Sequence, residues 1–153
     1  MSKHLPSSVI TIRTFEPNDM FPVVKLASET LTEQYHSHLF NFLYETCPYG
    51  FIVAEKHHKL VGFIAGFQTS TTTGRISMLT IRKTERRQGI ASSLLSLFLT
   101  KMQEHHIRII ELEVNTVNHA AVEFYKKHGF TIKEKVNAFY QNGDDAYIMK
   151  RDL

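Results

Sequence analysis

Between Ile76 and Met102 the chain carries a strand, a turn and a helix in immediate succession, and this unit constrains the fold more than any other stretch. Ile76-Ser77-Met78-Leu79-Thr80-Ile81 is a β-branched and apolar run of strand character. Ile90, Leu94, Leu95, Leu97, Phe98 and Met102 recur at helical spacing. Arg86-Arg87-Gln88-Gly89-Ile90-Ala91 therefore forms a turn that opens on a helix N-terminus. Gly89 permits close backbone approach, and Ala91 keeps the first turn slim. Free N–H groups, the positive end of the helix dipole and two arginines suit a pyrophosphate. The six residues fit a plain basic turn as well. Neither G-x-G-x-x-G nor G-x-x-x-x-G-K occurs, so the dinucleotide and P-loop patterns are not matched.

Elsewhere strand and helix signals alternate. Val9 to Thr14 reads as a short strand, after a polar leader (residues 1–8) expected to be loose. Glu16-Pro17-Asn18-Asp19 signals helix entry, and Met20 to Thr30 sets Val23, Val24, Leu26 and Ala27 on an apolar face. A second helix is expected from about Glu33 to Glu45, broken by Cys47-Pro48-Tyr49-Gly50. Phe51 to Glu55 and Leu60 to Phe67 form a hairpin around Lys56-His57-His58-Lys59, and Thr69 to Gly74 is a polar loop. After the long helix come a strand from Ile107 to Val114 and a helix from Ala120 to His128, stopped by Gly129. Phe130 to Val136 and Ala146 to Lys150 then pair across the turn-rich Gln141-Asn142-Gly143-Asp144-Asp145. The order β-α-α-β-β-β-α-β-α-β-β predicts an α/β fold on a mixed sheet.

Several classes are excluded. A length of 153 residues supports one domain with a full core, assigned to residues 1–153. No transmembrane helix or signal peptide is visible, and no membrane partner is expected. The single Cys47 excludes an internal disulfide, fits a reducing cytoplasm and reads as packing. Net charge is +3, with a knot at Arg82, Lys83, Arg86 and Arg87. Thr84 and Glu85 interrupt that knot beside a helix start, which suits cofactor phosphates better than nucleic acid. The pairs His36/His38, His57/His58 and His105/His106 point apart and lack completing ligands, so no metal is expected.

The turn at Arg86 to Ala91 resembles R/Q-x-x-G-x-G/A, the coenzyme A pyrophosphate loop of the GCN5-related N-acetyltransferases (GNAT superfamily). A more specific block runs from Leu112 to Phe130, with the skeleton L-E-V-x-x-x-N-x-x-A-x-x-x-Y-x-x-x-G-F. Within the superfamily it looks like the protein N-terminal acetyltransferases, including the ribosomal-protein alanine acetyltransferases. The tail from Tyr140 to Leu153 is similar to that of the catalytic subunit of the major eukaryotic N-terminal acetyltransferase complex and its stand-alone archaeal relatives. Leu31-Thr32-Glu33-Gln34-Tyr35 resembles that group's L-P-E-N-Y, with Thr32 and Gln34 departing. The resemblance implies a GNAT fold, a mixed, mostly antiparallel sheet of about seven strands splayed at the acetyl-CoA site, with about four helices. It implies acetyl transfer from acetyl-CoA, by direct attack in a ternary complex, to the α-amine of protein or nascent-peptide N-termini. The ribosome and an auxiliary subunit become candidate partners. A lysine or small-amine acetyltransferase, and a non-catalytic acetyl-CoA sensor or ribosomal scaffold, are the competing readings.

Carried over by position, Leu79, Thr80 and Ile81 would hold pantetheine through main-chain groups. Arg86, Arg87, Gln88, Gly89, Ile90, Ala91 and Ser92 would hold the pyrophosphate. An α-amine of pKa near 7.7–8.0 is roughly a tenth neutral at pH 7, whereas lysine sits near 10.4. That gap favours the N-terminus by roughly 3.4 kcal/mol, and a carboxylate acting through water suffices as base. Glu113 points away from its apolar neighbours Leu112 and Val114; periodicity alone makes it solvent-facing, and the resemblance makes it the base. Glu33 is the other candidate base and a substrate neighbour, or else a first-turn glutamate favoured by the helix dipole. Tyr125 would protonate the departing thiolate and contact the cofactor, where an F-Y pair on a helix otherwise reads as core. Asn118 caps a helix and, in the family, also serves the cofactor. Tyr35 and Tyr140 would flank the peptide N-terminus. Arg75 stands where some relatives carry His or Tyr near the amine, which implies a substrate-binding place, though it cannot act as a base. Phe139 replaces a frequent second Tyr.

Overall fold

The apolar runs of the sequence pair into one sheet in the computed structural model, which describes residues 9–31 and 37–153. Among these residues there are seven strands: β1 (Ile10–Thr14), β2 (Phe51–Lys56), β3 (Lys59–Gln68), β4 (Thr73–Ile81), β5 (Ile109–Asn115), β6 (Thr131–Val136) and β7 (Ala146–Asp152). The helices are α1 (Met20–Thr30), α2 (Ser37–Thr46), α3 (Ile90–Glu104) and α4 (His119–Lys127). The sheet order is β1-β2-β3-β4-β5-β7-β6. All neighbours run antiparallel except β4 and β5. The expected leader (1–8) and the expected start of the second helix at Glu33 lie outside the described residues.

Two apolar layers sandwich the sheet. Ile52, Ile64, Ile110, Leu112 and Val114 pack with Leu94, Leu95 and Phe98 of α3 and Tyr125 of α4. On the opposite face Phe51, Val53 and Phe63 pack with Val23 and Leu26 of α1 and Phe40 and Leu43 of α2. The alternation in β2, Phe51 and Val53 one way and Ile52 and Ala54 the other, is the period of two expected for a strand covered on both faces.

Strand β4 begins at Thr73, three residues earlier than its apolar run predicts. Thr73 and Gly74 fall in the stretch from Thr69 to Gly74 that reads as loop because it holds no apolar residue, yet together with Arg75 they carry the whole ladder to β5: Thr73 to Ile109, Gly74 to Ile110, Arg75 to Glu111. Beyond Arg75 no pairing joins these strands, so the sheet forks there. A bulge sits in the same place, where Ala65 pairs with Met78 and Gly66 with Ile76, leaving Ser77 as the extra residue. It reverses the alternation of β4. Ile76 packs on the α3 side and Met78 on the α1 side, while Leu79 and Ile81 return to the α3 side.

Candidate active site

The fork is a cleft of about 210 Å³. One wall is β4 from Ile76 to Leu79, the other β5 from Leu112 to Asn115, and Asn118, Ala121 and Tyr125 of the α4 segment close one side. Leu31, Tyr140 and Asn142 line the opposite mouth. Along the β4 wall backbone groups are open. The Arg82 N–H donates to Val61 O at 2.7 Å, so alternation turns Thr80 toward β3 as well and leaves Leu79 and Ile81 facing the gap. Ile81 O receives the Arg86 Nε–H at 3.3 Å. Thr80 is buried, its hydroxyl bonded to that of Thr30 at 2.7 Å.

At the end of β4 the chain reaches α3 through two left-handed residues, Arg87 (φ 65°) and Gly89 (φ 76°). Gly89 is the N-cap, with no side-chain cap bond, and the first amide bonded back into the helix is that of Ser93, to Gly89 O at 3.0 Å. The N–H groups of Ile90, Ala91 and Ser92 thus point outward without intrahelical partners. Packing permits this. Leu94, Leu95 and Phe98 are wholly buried, contributing together about 5–9 kcal/mol, several times the roughly 1 kcal/mol of a good cap. Gln88 Nε2 donates to Glu85 Oε1 at 3.1 Å, and Ser92 Oγ lies 3.0 Å from His128 Nε2, tying α3 to the end of α4.

Glu113 is half-buried in the cleft wall, on the face opposite Leu112 and Val114. Its Oε2 accepts from Arg75 Nε at 2.7 Å and forms an ion pair with Nη2 at 2.6 Å. Arg75, expected beside the substrate, directs its guanidinium at Glu113 and Glu111 of β5. Tyr125 is both core and cleft: its ring packs edge-on against Phe130 (centroids 5.4 Å apart), and the residue lines the gap. Burial, reinforced by the neighbouring Tyr140, pushes its phenol well above the ordinary tyrosine range, so it stays protonated at neutral pH. Asn118 caps α4, its Oδ1 accepting from Ala121 N at 3.2 Å. Leu79, Asn118, Glu113, Tyr125 and Tyr140 thus share one cleft, with residues 86–92 at the far end of its β4 wall. Glu33 and Tyr35 lie outside the described residues.

Sequence reasoning missed the struts of the mouth. Asn115 Nδ2 donates to Asp144 Oδ2 at 2.8 Å, and Asp144 N donates to Asn142 Oδ1 at 2.9 Å. The Ala138 N–H, aided by Lys135 and against a burial cost, holds the Asp145 carboxyl below the usual range. The loop carrying Phe139 and Tyr140 is therefore anchored to β5. The only sequence signal was the Asn-Gly-Asp-Asp run, which reads as a turn. Cys47 is fully buried, and burial pushes its thiol up. Among the described residues no cluster of His, Cys, Asp or Glu could hold a metal ion, and no helix is long and apolar enough to cross a membrane.

The acetyltransferase (GNAT) family model matches residues 20–130. The crystal structure of Ard1 from Thermoplasma volcanium superposes with a TM-score of 0.90 at 36% identity, covering 94% of this chain and 97% of that one. N-alpha-acetyltransferase 30 of Schizosaccharomyces pombe is 29% identical over 143 residues, 91% of this chain and 95% of its own length. Arabidopsis thaliana Naa50, solved with the bisubstrate analogue CoA-Ac-MVNAL, shares the fold with a TM-score of 0.86 at 23% identity, over 94% of this chain and 99% of its own.

Proposed function

The chain belongs to the GNAT family of acetyltransferases, and from that premise we propose that it moves the acetyl group of acetyl-CoA onto the free α-amine of protein and nascent-peptide N-termini. The observation that carries this reading is the fork between β4 and β5, which brings an open strand edge, a carboxylate and a protonated phenol into one cleft. The residues fit the donor. Leu79 and Ile81 offer main-chain groups to a pantetheine arm lying as an added strand. The N–H groups of Ile90 to Ser92, with open space around Gly89, suit its phosphates. The single buried Cys47 supports a cytoplasmic setting.

Acetyl-CoA supplies an activated thioester carbonyl. Glu113 accepts, through a water, the proton that the amine loses as its nitrogen bonds to the carbonyl carbon. The open-edge N–H of Leu79 is a donor for the carbonyl oxygen as charge develops there. Tyr125, whose proton burial retains at neutral pH, gives it to sulfur as the C–S bond breaks and recovers one from water. No metal is required by these steps.

The test is turnover with acetyl-CoA and two peptides, one with a free N-terminus and no lysine, the other blocked and carrying lysine. The neutral fraction alone favours the first by about two orders of magnitude at pH 7. Equal rates on the blocked lysine peptide would reject the N-terminus as the substrate.

A further inference from the structure

Arg75 occupies the last rung of the β4–β5 ladder, opposite Glu111. Glu113 lies two residues further along β5, roughly 6.6 Å at about 3.3 Å per residue, where no backbone pairing to β4 remains. A side chain replaces the missing rung. Arg75 Nε donates to Glu113 Oε2 at 2.7 Å, and Nη2 forms an ion pair with the same oxygen at 2.6 Å, with the two side chains 25% and 24% exposed. Oε1 of Glu113 has no partner among the described residues. On the other side, Arg75 Nη1 stands 3.9 Å from Glu111 Oε1, and Glu111 Oε2 accepts from Lys133 Nζ at 3.0 Å. Two cations and two carboxylates therefore alternate across β4, β5 and β6, and the guanidinium is the member that spans the fork.

We propose that Arg75 is a positioning residue for acetyl transfer, clamping Glu113 by Oε2 so that Oε1 is the atom presented to the water that takes the amine proton. This rests on Glu113 being the base. A carboxylate on a strand with no neighbour on one side has three free side-chain torsions, and a misplacement of about 1 Å can cost about 10² in rate. A planar guanidinium that holds Oε2 by a hydrogen bond from Nε and an ion-pair contact from Nη2 restricts that freedom, which lysine, a single point donor, does only in part. The geometry opposes direct binding of the substrate amine by Arg75. Its donors already face Glu113 and Glu111, and a guanidinium repels an ammonium group.

The experiment is a double-mutant cycle in kcat and KM, using R75M, E113Q and the double variant, with R75K as the conservative rescue. Thermal unfolding and acetyl-CoA binding are followed for each variant. Whichever amine the wild-type enzyme acetylates serves as substrate, so failure of the N-terminal preference is read separately from the cycle. We expect R75M to lower kcat roughly 10- to 100-fold with the KM for peptide within about threefold, and R75K to recover part of the loss. In the E113Q background the same change should cost less than about twofold, because the carboxylate it orients is already gone. Equal losses in both backgrounds, or a raised peptide KM at unchanged kcat, would overturn the clamp in favour of direct substrate contact. A silent E113Q would overturn it too and move the base elsewhere, Glu33 first. Should R75M fail to fold, the cycle is run with R75K, and the same non-additivity decides.

Discussion

Replacing Gly89 by alanine separates the cofactor function of the β4–α3 turn from its structural one. Gly89 has φ 76° and ψ 9°, and a Cβ built there meets no protein atom within 4 Å. The protein therefore suffers no clash; its only cost is the left-handed backbone, about 1–2 kcal/mol. For a chain of this size that lowers Tm by roughly 2–8 °C. The bound state suffers more, because the methyl enters the space through which phosphate reaches the amides of Ile90, Ala91 and Ser92. We expect acetyl-CoA affinity to fall 10- to 100-fold, about 1.4–2.8 kcal/mol, measured by calorimetry on the folded variant. Gly143 supplies the control. It too is left-handed, at φ 91°, with no atom within 4 Å of a built Cβ, but it lies in the β6–β7 loop. Gly143→Ala should show a similar loss of Tm and unchanged acetyl-CoA affinity. If Gly89→Ala also binds acetyl-CoA like the wild type, the turn is only a left-handed helix entry and the phosphate assignment is refuted.

Tyr125→Phe should lower kcat by about 10², with the KM for acetyl-CoA nearly unchanged and no recovery up to pH 9, since the sulfur still lacks its proton donor; a wild-type kcat would remove the phenol from the mechanism. A second test is of stability against pH. Burial pushes the Asp19 carboxyl up, but the Arg13 guanidinium at 2.8 and 2.9 Å and the Glu16 N–H at 2.8 Å outweigh it and hold the pKa below the ordinary value. The native state then binds this proton less tightly than the unfolded chain, so the stabilisation is complete above about pH 4–5 and is lost as pH falls through the folded value. Asp19→Asn should cost about 1–3 kcal/mol at pH 7, a penalty that shrinks toward pH 2 in denaturant titrations; a penalty independent of pH would show that shape, not charge, holds this corner.

What was legible in the sequence is what local periodicity encodes. The order of elements follows from runs such as Phe51 to Ala54 and the stripe Ile90, Leu94, Leu95, Phe98, because each satisfies a period of two or of 3.6 within a few residues. The Asn118 cap and the outward direction of Glu113 were legible for the same reason. Contacts between distant segments were not. Arg75 and Glu113 are 38 residues apart, and Asn115 and Asp144 are 29 apart. Local pattern says nothing of either pairing, which exists only once the sheet order makes the members neighbours.

The bulge at Ser77 is the clearest case of information held only in pairing. With unbroken alternation, Arg75, Ser77, Leu79 and Ile81 would share one face of β4. Ile76 packs toward α3, so Arg75 points to the α1 side, the side of Glu113. Leu79 and Ile81 would then point there as well, leaving Thr80 to pack on the apolar α3 layer. The extra residue reverses the second half of the strand: Thr80 meets Thr30 of α1 at 2.7 Å, and Leu79 and Ile81 anchor in the α3 core. One strand thereby sends a guanidinium across the fork to one side and anchors its open edge by side chains buried on the other. Nothing in Ile76-Ser77-Met78-Leu79 distinguishes this arrangement from a regular strand, because the bulge is defined by the two residues it faces, Ala65 and Gly66.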